Sequence, residues 1–133
     1  MTDSHSDFII AVVDDDHGIL ESLESLLLSA NYAVRMFTSA DALLESEGLA
    51  EVDFLISDIN MPVMDGFALL RSIRAQSPDL PVILITGHPD FINRLPLVGH
   101  DQYRLFKKPF DGEDLLAAIS DALSGRSPRI SKS

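Results

Sequence analysis

The sequence predicts an α/β protein in which a parallel sheet is covered by helices on both faces, a three-layer sandwich. Short runs rich in Val, Ile and Phe recur at Phe8–Val13, Val34–Phe37, Phe54–Ile56 and Val82–Ile85, with a weaker run at Tyr103–Phe106. Runs of that length and content suit strands buried on both faces. Between them lie segments of helical spacing, and strands separated by helices of roughly 10–15 residues pair in parallel through right-handed crossovers. The chain has 133 residues, 46% of them hydrophobic. That is room for one domain with a real core, and too apolar for wholesale disorder.

The first run, Phe8–Val13, leads into Asp14-Asp15-Asp16. The helix after it puts Ile19, Leu20, Leu23, Leu26 and Leu27 on one face and Glu21, Ser22, Glu24 and Ser25 on the other. Beyond the second run a helix is predicted from Ser39 to Glu47, with Ser39 as N-cap ahead of Ala42, Leu43 and Leu44. The third run leads to Asp58 and a loop containing Pro62, and Asp65-Gly66 turns the chain into a helix carrying Phe67, Leu70 and Ile73. After the fourth run, Pro89, Pro96 and Gly99 predict a fourth helix that is short or irregular. The last helix starts at Asp111, whose spacing to Asp114 suits an N-terminal cap, and continues through Leu115, Leu116, Ile119 and Leu123. Residues 1–7 read as a flexible N-terminus, 8–124 as the domain, and the polar, basic stretch 125–133 as a flexible tail or linker stub.

Composition narrows the function. Ten Lys and Arg against 21 Asp and Glu give a net charge of −11, which argues against gripping nucleic acid or an anionic membrane by electrostatics. The charge favours cations, basic partners or a chemistry that uses many carboxylates. With no cysteine, disulfides, thiolate zinc sites and thiol catalysis are excluded. The start of the chain, Met1 to Asp7, carries two acids where a secretory signal would carry basic residues and a long apolar run. The apolar runs are too short to span a bilayer. A cytoplasmic protein is expected.

In an open parallel sheet, ligands bind beyond the carboxyl ends of the strands. The residues immediately after each strand are therefore informative: Asp14-Asp15-Asp16 after the first, Asp58 after the third, Thr86-Gly87-His88 after the fourth, and Lys107-Lys108-Pro109-Phe110 after the fifth. Carboxylates from separate strands, a hydroxyl and an ammonium should converge on one edge of the sheet. Crowded carboxylates need a compensating cation. Oxygen-only ligands point to a hard ion such as Mg²⁺. With Lys108 and Thr86 beside it, such a site suits phosphoryl oxygens, and a central carboxylate can act as nucleophile and become an aspartyl phosphate. Asp58 is the best placed for that role.

The stretches Val12-Val13-Asp14-Asp15-Asp16, Asp53 through Asp58 to Pro62 and Asp65-Gly66, Pro81 through Thr86-Gly87, and Lys108-Pro109-Phe110 together resemble the receiver domain of two-component response regulators. The resemblance covers about residues 8–124. It implies a five-stranded parallel sheet of flavodoxin-like 2-1-3-4-5 order and a phosphorylation switch rather than an enzyme, with self-catalysed phosphorylation and dephosphorylation. It implies Asp58 as the phosphoacceptor, and Asp15 as a direct Mg²⁺ ligand with Asp14 alongside it. It further implies that the Asn60 backbone carbonyl coordinates the metal, that the Thr86 hydroxyl contacts the phosphoryl group, and that Lys108 pairs with the phosphoryl oxygens. A cis Lys108–Pro109 bond is a further implication. The partner implied is a sensor histidine kinase or histidine phosphotransfer protein, with a downstream protein or fused effector and a phosphorylation-dependent homodimer as outputs.

Two departures stand out. The family places Tyr or Phe three residues before the active-site Lys, where this chain has Leu105, and a small-residue stretch is replaced by His100-Asp101-Gln102. Plainer roles remain for some residues. Asp16 reads as a helix cap, Lys107 as a solvated neighbour of Lys108, His88 as an exposed loop residue, and Met61 and Met64 as loop packing. His5, His17 and His100 have no metal-ligand spacing. Two other functional classes stay open: a receiver-like interaction module without phosphorylation, and an aspartyl-phosphate phosphatase. The latter would use a second Asp where this chain has Asn60.

Overall fold

The computed structural model describes residues 8–46, 49–59, 66–87 and 103–128. Glu47, Asn60, Asp65, His88 and the irregular fourth helix expected between Pro89 and Gln102 lie outside the described residues. Within them the chain runs β1 (Ile9–Val13), α1 (His17–Ser29), β2 (Ala33–Phe37), α2 (Ala40–Glu45), a 3-10 turn at Leu49–Glu51, β3 (Phe54–Asp58), α3 (Gly66–Gln76), β4 (Val82–Thr86), β5 (Tyr103–Lys107) and α4 (Gly112–Leu123). The strands form one parallel sheet in the order β2-β1-β3-β4-β5. This is the flavodoxin-like arrangement that the resemblance implies.

The pleat divides the core in two. Alternate residues of β1 point to opposite faces. Ile9, Ala11 and Val13 pack with Leu43 of α2 and Leu69, Leu70 and Ile73 of α3. Ile10 and Val12 pack with Leu20, Leu23 and Leu27 of α1 and Leu115, Ile119 and Leu123 of α4. Each helix presents one apolar stripe to the sheet, so the three layers arise directly from the periodicities in the sequence.

One expectation needs correcting. β1, β3 and β4 are buried along their whole length, but β2 is only half-buried with Met36 exposed, and Arg104 and Lys107 of β5 are exposed. β2 and β5 are the two edges of the sheet. An apolar run says that a strand packs, whereas flanking neighbours decide whether both faces close over it.

Local signals set the helix ends. Asp16 caps α1, its Oδ1 accepting from the Gly18 and Ile19 N–H groups at 2.8 and 3.3 Å. Ser39 Oγ accepts from the Ala42 N–H at 3.0 Å, and Asp111 Oδ1 from the Glu113 N–H at 2.8 Å. These acceptors satisfy N–H groups that have no partner inside the helix. Asn31, at φ 70°, follows α1 in the left-handed conformation, which lets the Tyr32 N–H reach back to the Leu27 carbonyl. The Lys108–Pro109 bond is cis.

Candidate functional site

The carboxyl ends of β1, β3, β4 and β5 bring the expected groups to one edge. Backbone pairing continues past the strands and fixes the side chains there. The Asp14 N–H donates to the Phe37 carbonyl at 3.1 Å, the Ile59 N–H to the Ile85 carbonyl at 2.8 Å, and the Lys108 N–H to the Thr86 carbonyl at 2.8 Å. Asp58 is the last residue of β3 and Thr86 the last of β4.

Asp14 is 1% exposed and Asp58 6%. Lys108 reaches both: its Nζ lies 3.5 Å from Asp14 Oδ2 and 3.3 Å from Asp58 Oδ2. The other oxygen of Asp14, Oδ1, accepts from the Asp16 N–H at 2.9 Å, so the carboxylate is held at both ends. Asp15 is exposed and faces the same point; one carboxylate oxygen from each of Asp14, Asp15 and Asp58 lies within 4.8 Å of the others. Thr86 is buried at the same edge. Asn60 and His88 are outside the described residues.

The electrostatics reflect this crowding. Burial pushes the Asp14 carboxyl above its ordinary value and the Asp58 charge adds to that, while the Asp16 N–H and Lys108 oppose it. For Lys108, burial alone would lower the value, but the charges of Asp58 and Asp14 outweigh it and hold the ammonium more firmly protonated than usual. Among the described residues, three carboxylates against one ammonium leave two negative charges in excess. The donors are all oxygen, so the set fits a hard divalent cation.

Two neighbours are not legible in the sequence. The fully buried Ser57 hydroxyl donates to the Asp58 carbonyl at 3.1 Å; a lone Ser inside an apolar run carries no signal for that. Beside Lys108 lies an apolar hollow of about 550 Å³, walled by Ile19, Leu23 and Leu26 of α1 and by Pro109, Phe110 and Gly112. Helical periodicity puts Leu26 on the same face as the more deeply buried Leu27, so the α1 wall of the hollow reads in the sequence as plain core.

A buried parallel α/β scaffold with an acidic cluster and a lysine at the switch edge defines the class, and comparison agrees. Residues 10–120 match the response regulator receiver domain. The chain belongs to that family, whose members are typically non-enzymatic switches of two-component signalling. Among individual proteins, it is 38% identical over 123 residues to the response regulator protein TmoT of Ectopseudomonas mendocina, covering 92% of this chain and 55% of the relative. It is 37% identical over 116 residues to the DNA-binding transcriptional regulator NtrC of Escherichia coli K12, covering 87% of this chain and 25% of that protein. The chain thus spans about half the length of one relative and a quarter of the other. A crystal structure of a response regulator receiver domain protein from Clostridium thermocellum superposes with a TM-score of 0.79 at 29% identity, covering 88% of this chain and 94% of that one. Among the described residues no helix is long and apolar enough to cross a membrane.

Proposed function

We propose that this chain is a phosphorylation switch in which Asp58 accepts a phosphoryl group from a sensor histidine kinase or a histidine phosphotransfer protein, with Mg²⁺ as cofactor. The observation that carries the reading is the position of the Asp58 carboxylate: at the end of a buried central strand, 3.3 Å from Lys108 Nζ, and grouped with Asp14 and Asp15.

An Asp58 oxygen attacks the phosphorus of a phosphoimidazole. The P–N bond breaks, its electron pair stays on the donor's imidazole nitrogen, and the new O–P bond is an acyl phosphate. Asp14, Asp15 and Asp58 would hold the cation, together with the backbone carbonyl of Asn60 that the family resemblance implies. Mg²⁺, when bound, offsets the charge that develops on the phosphoryl oxygens. Lys108 pairs with one of those oxygens and the Thr86 hydroxyl donates to another. The hollow beside Lys108 offers an apolar seat for the partner's side chains at the reacting edge. Hydrolysis by water resets Asp58, so the protein is consumed and regenerated stoichiometrically and turns over no separate substrate.

The setting is cytoplasmic, and the polar, basic stretch 125–133, anchored to the domain at Arg126, serves as a linker toward an effector. DNA binding belongs to the named NtrC relative; this acidic domain does not itself contact nucleic acid or a membrane. A phosphorylation-dependent homodimer is one route to output. Leu105, half-buried against the core on the α3 side of the sheet, cannot act as the aromatic relay that the family commonly uses.

The test is intact-mass spectrometry after incubation with a small phosphodonor such as acetyl phosphate. The expected result is one phosphoryl adduct that requires Mg²⁺ and is absent in Asp58→Ala. An unmodified wild type under these conditions would overturn the reading in favour of an interaction module. Rapid multiple turnover of phosphomonoesters would overturn it in favour of a phosphatase.

A further inference from the structure

At the opposite edge of the sheet, between the end of α3 and the end of α4, lies a cleft of about 320 Å³. Three of the five described arginines, Arg74, Arg104 and Arg126, line it. That is unusual in a chain of net charge −11. The other two described arginines stand elsewhere: Arg35 pairs with Glu51 at 2.8 Å and Arg71 is solvated on α3.

Two of the three guanidiniums are held in place. Arg74 Nη1 donates to the Leu80 carbonyl at 2.6 Å and more weakly to the Ser77 carbonyl at 3.5 Å. Arg126 Nη1 donates to the Asp79 carbonyl at 3.1 Å. A guanidinium has five N–H donors in a planar fork, so anchoring one nitrogen fixes the direction of the others. The Arg104 guanidinium has no hydrogen-bond or ion-pair partner among the described residues. The carboxylate lining the cleft is that of exposed Asp79; Asp53, in a smaller neighbouring hollow that Arg126 also borders, has its Oδ2 committed to the Ile9 N–H at 2.8 Å. Among the described residues lining the cleft, positive charge therefore outnumbers negative by two. The remainder of the wall is apolar, with Phe54, Pro78, Val82, Ala118 and Ala122.

We propose that this cleft binds a small amphipathic organic oxyanion, its carboxylate or phosphate on Arg104 and Arg126 and its apolar body against Phe54, Pro78 and Ala122. The volume is at the lower end of small-ligand sites, and a few fixed polar groups on an apolar wall are the usual make-up of such sites. Arg forks suit either headgroup. The cleft shares no residue with the Asp58 cluster.

The probes are benzoate and phenyl phosphate, with benzyl alcohol as the neutral counterpart, titrated into the ¹⁵N-labelled full chain in EDTA and low salt to exclude divalent-dependent binding near Asp58. Both anions, or one of them, should give saturable amide shifts at Leu80, Arg104, Ala118 and Arg126; which one does so identifies the headgroup. Arg104→Gln and Arg126→Gln, whose exposed side chains are dispensable for the core, should each weaken binding about tenfold, the scale for losing a charge-assisted hydrogen bond. Well-dispersed spectra of both variants verify their folding. Benzyl alcohol should give no saturable shift. Failure of both anions to saturate by about 10 mM, a weak affinity even for a fragment-sized ligand, would overturn the proposal. So would unchanged affinity in both variants, or equal binding of benzyl alcohol.

Discussion

Replacing Lys108 with methionine removes an ammonium from between two carboxylates and keeps a side chain of similar length. Nζ lies 3.3 Å from Asp58 Oδ2 and 3.5 Å from Asp14 Oδ2. At an effective dielectric constant near 20, each contact is worth about 5 kcal/mol of Coulomb attraction. The same law gives about 3.5 kcal/mol of repulsion for two carboxylate oxygens at 4.8 Å, the outer limit of their spacing here. Taking the ammonium out of water offsets most of the attraction, and the Lys108 side chain is still 25% exposed, so the net loss is smaller, about 2 kcal/mol. For a domain of this size that lowers Tm by about 8 °C. Added Mg²⁺ should recover more stability in Lys108→Met than in wild type, because the variant carries one more uncompensated negative charge and tighter binding to the native state stabilises it more, with the logarithm of affinity. The assay is thermal unfolding by circular dichroism, in EDTA and across a Mg²⁺ series. The pH response is a second signature. Lys108 is held above its ordinary value of 10.5, so the wild-type advantage should be complete below that pH and fade as pH rises through the raised value. Equal melting of the two proteins in EDTA, or equal Mg²⁺ increments, would refute the electrostatic account of the site.

The same geometry sets three further outcomes. Asp14 is held above its ordinary value of 3.8, so its ionisation costs native stability as pH rises from 3.8 through the raised value. Asp14→Asn should therefore melt above wild type at pH 7 in EDTA, with the gap closing as pH falls toward 4, and lose that advantage in Mg²⁺. Asp15 is exposed, so Asp15→Asn should change stability by less than about 0.5 kcal/mol in urea unfolding. It should nonetheless weaken Mg²⁺ binding about tenfold or more in an NMR titration, since it removes one of three charged donors. Asp53→Ala leaves the buried Ile9 N–H without the acceptor it has at 2.8 Å and should cost about 1–3 kcal/mol, whereas Asp53→Asn, which retains an acceptor oxygen, should cost less; urea midpoints separate the two.

How far the sequence can be read depends on whether a property belongs to a segment or to its neighbours. Runs such as Val82–Ile85 and stripes such as Leu20, Leu23 and Leu27 are segment properties, and the elements stand where the runs stand. Edge position is not one: Val34–Phe37 and Phe54–Ile56 both read as strand runs, and Arg35 alone does not say which neighbours each will have, yet β2 has a strand on one side only and β3 has strands on both. The site divides in the same way. Residues just past parallel strands must share an edge, which brings Asp14, Asp15, Asp58, Thr86 and Lys108 together. Which acid of the pair Asp14 and Asp15 is buried depends on the next step of the chain. Asp14 still pairs with Phe37 as if β1 continued, and Asp15, past the ladder, is exposed at the rim of the same cluster.

The arginine cleft is hidden in the sequence for a reason that bears on the charge of the whole domain. Arg74 stands on α3, Arg104 on β5 and Arg126 three residues past the end of α4; they are far apart in sequence, and each reads as an ordinary solvated residue in its own segment. Only the sheet order, with β4 and β5 adjacent and α4 returning across them, gathers their charges at the amino-terminal edge. The same order gathers Asp14, Asp15 and Asp58 at the carboxyl edge. The net −11 therefore conceals a separation along the strand direction. The acidic end of the sheet suits a cation and the arginine end an oxyanion, with the buried strands β1, β3 and β4 as the low-dielectric slab between them. Charges so separated act nearly independently in physiological salt, where the screening length is about 8 Å. Neutralising Arg104 should accordingly leave the Mg²⁺ increment at Asp58 unchanged.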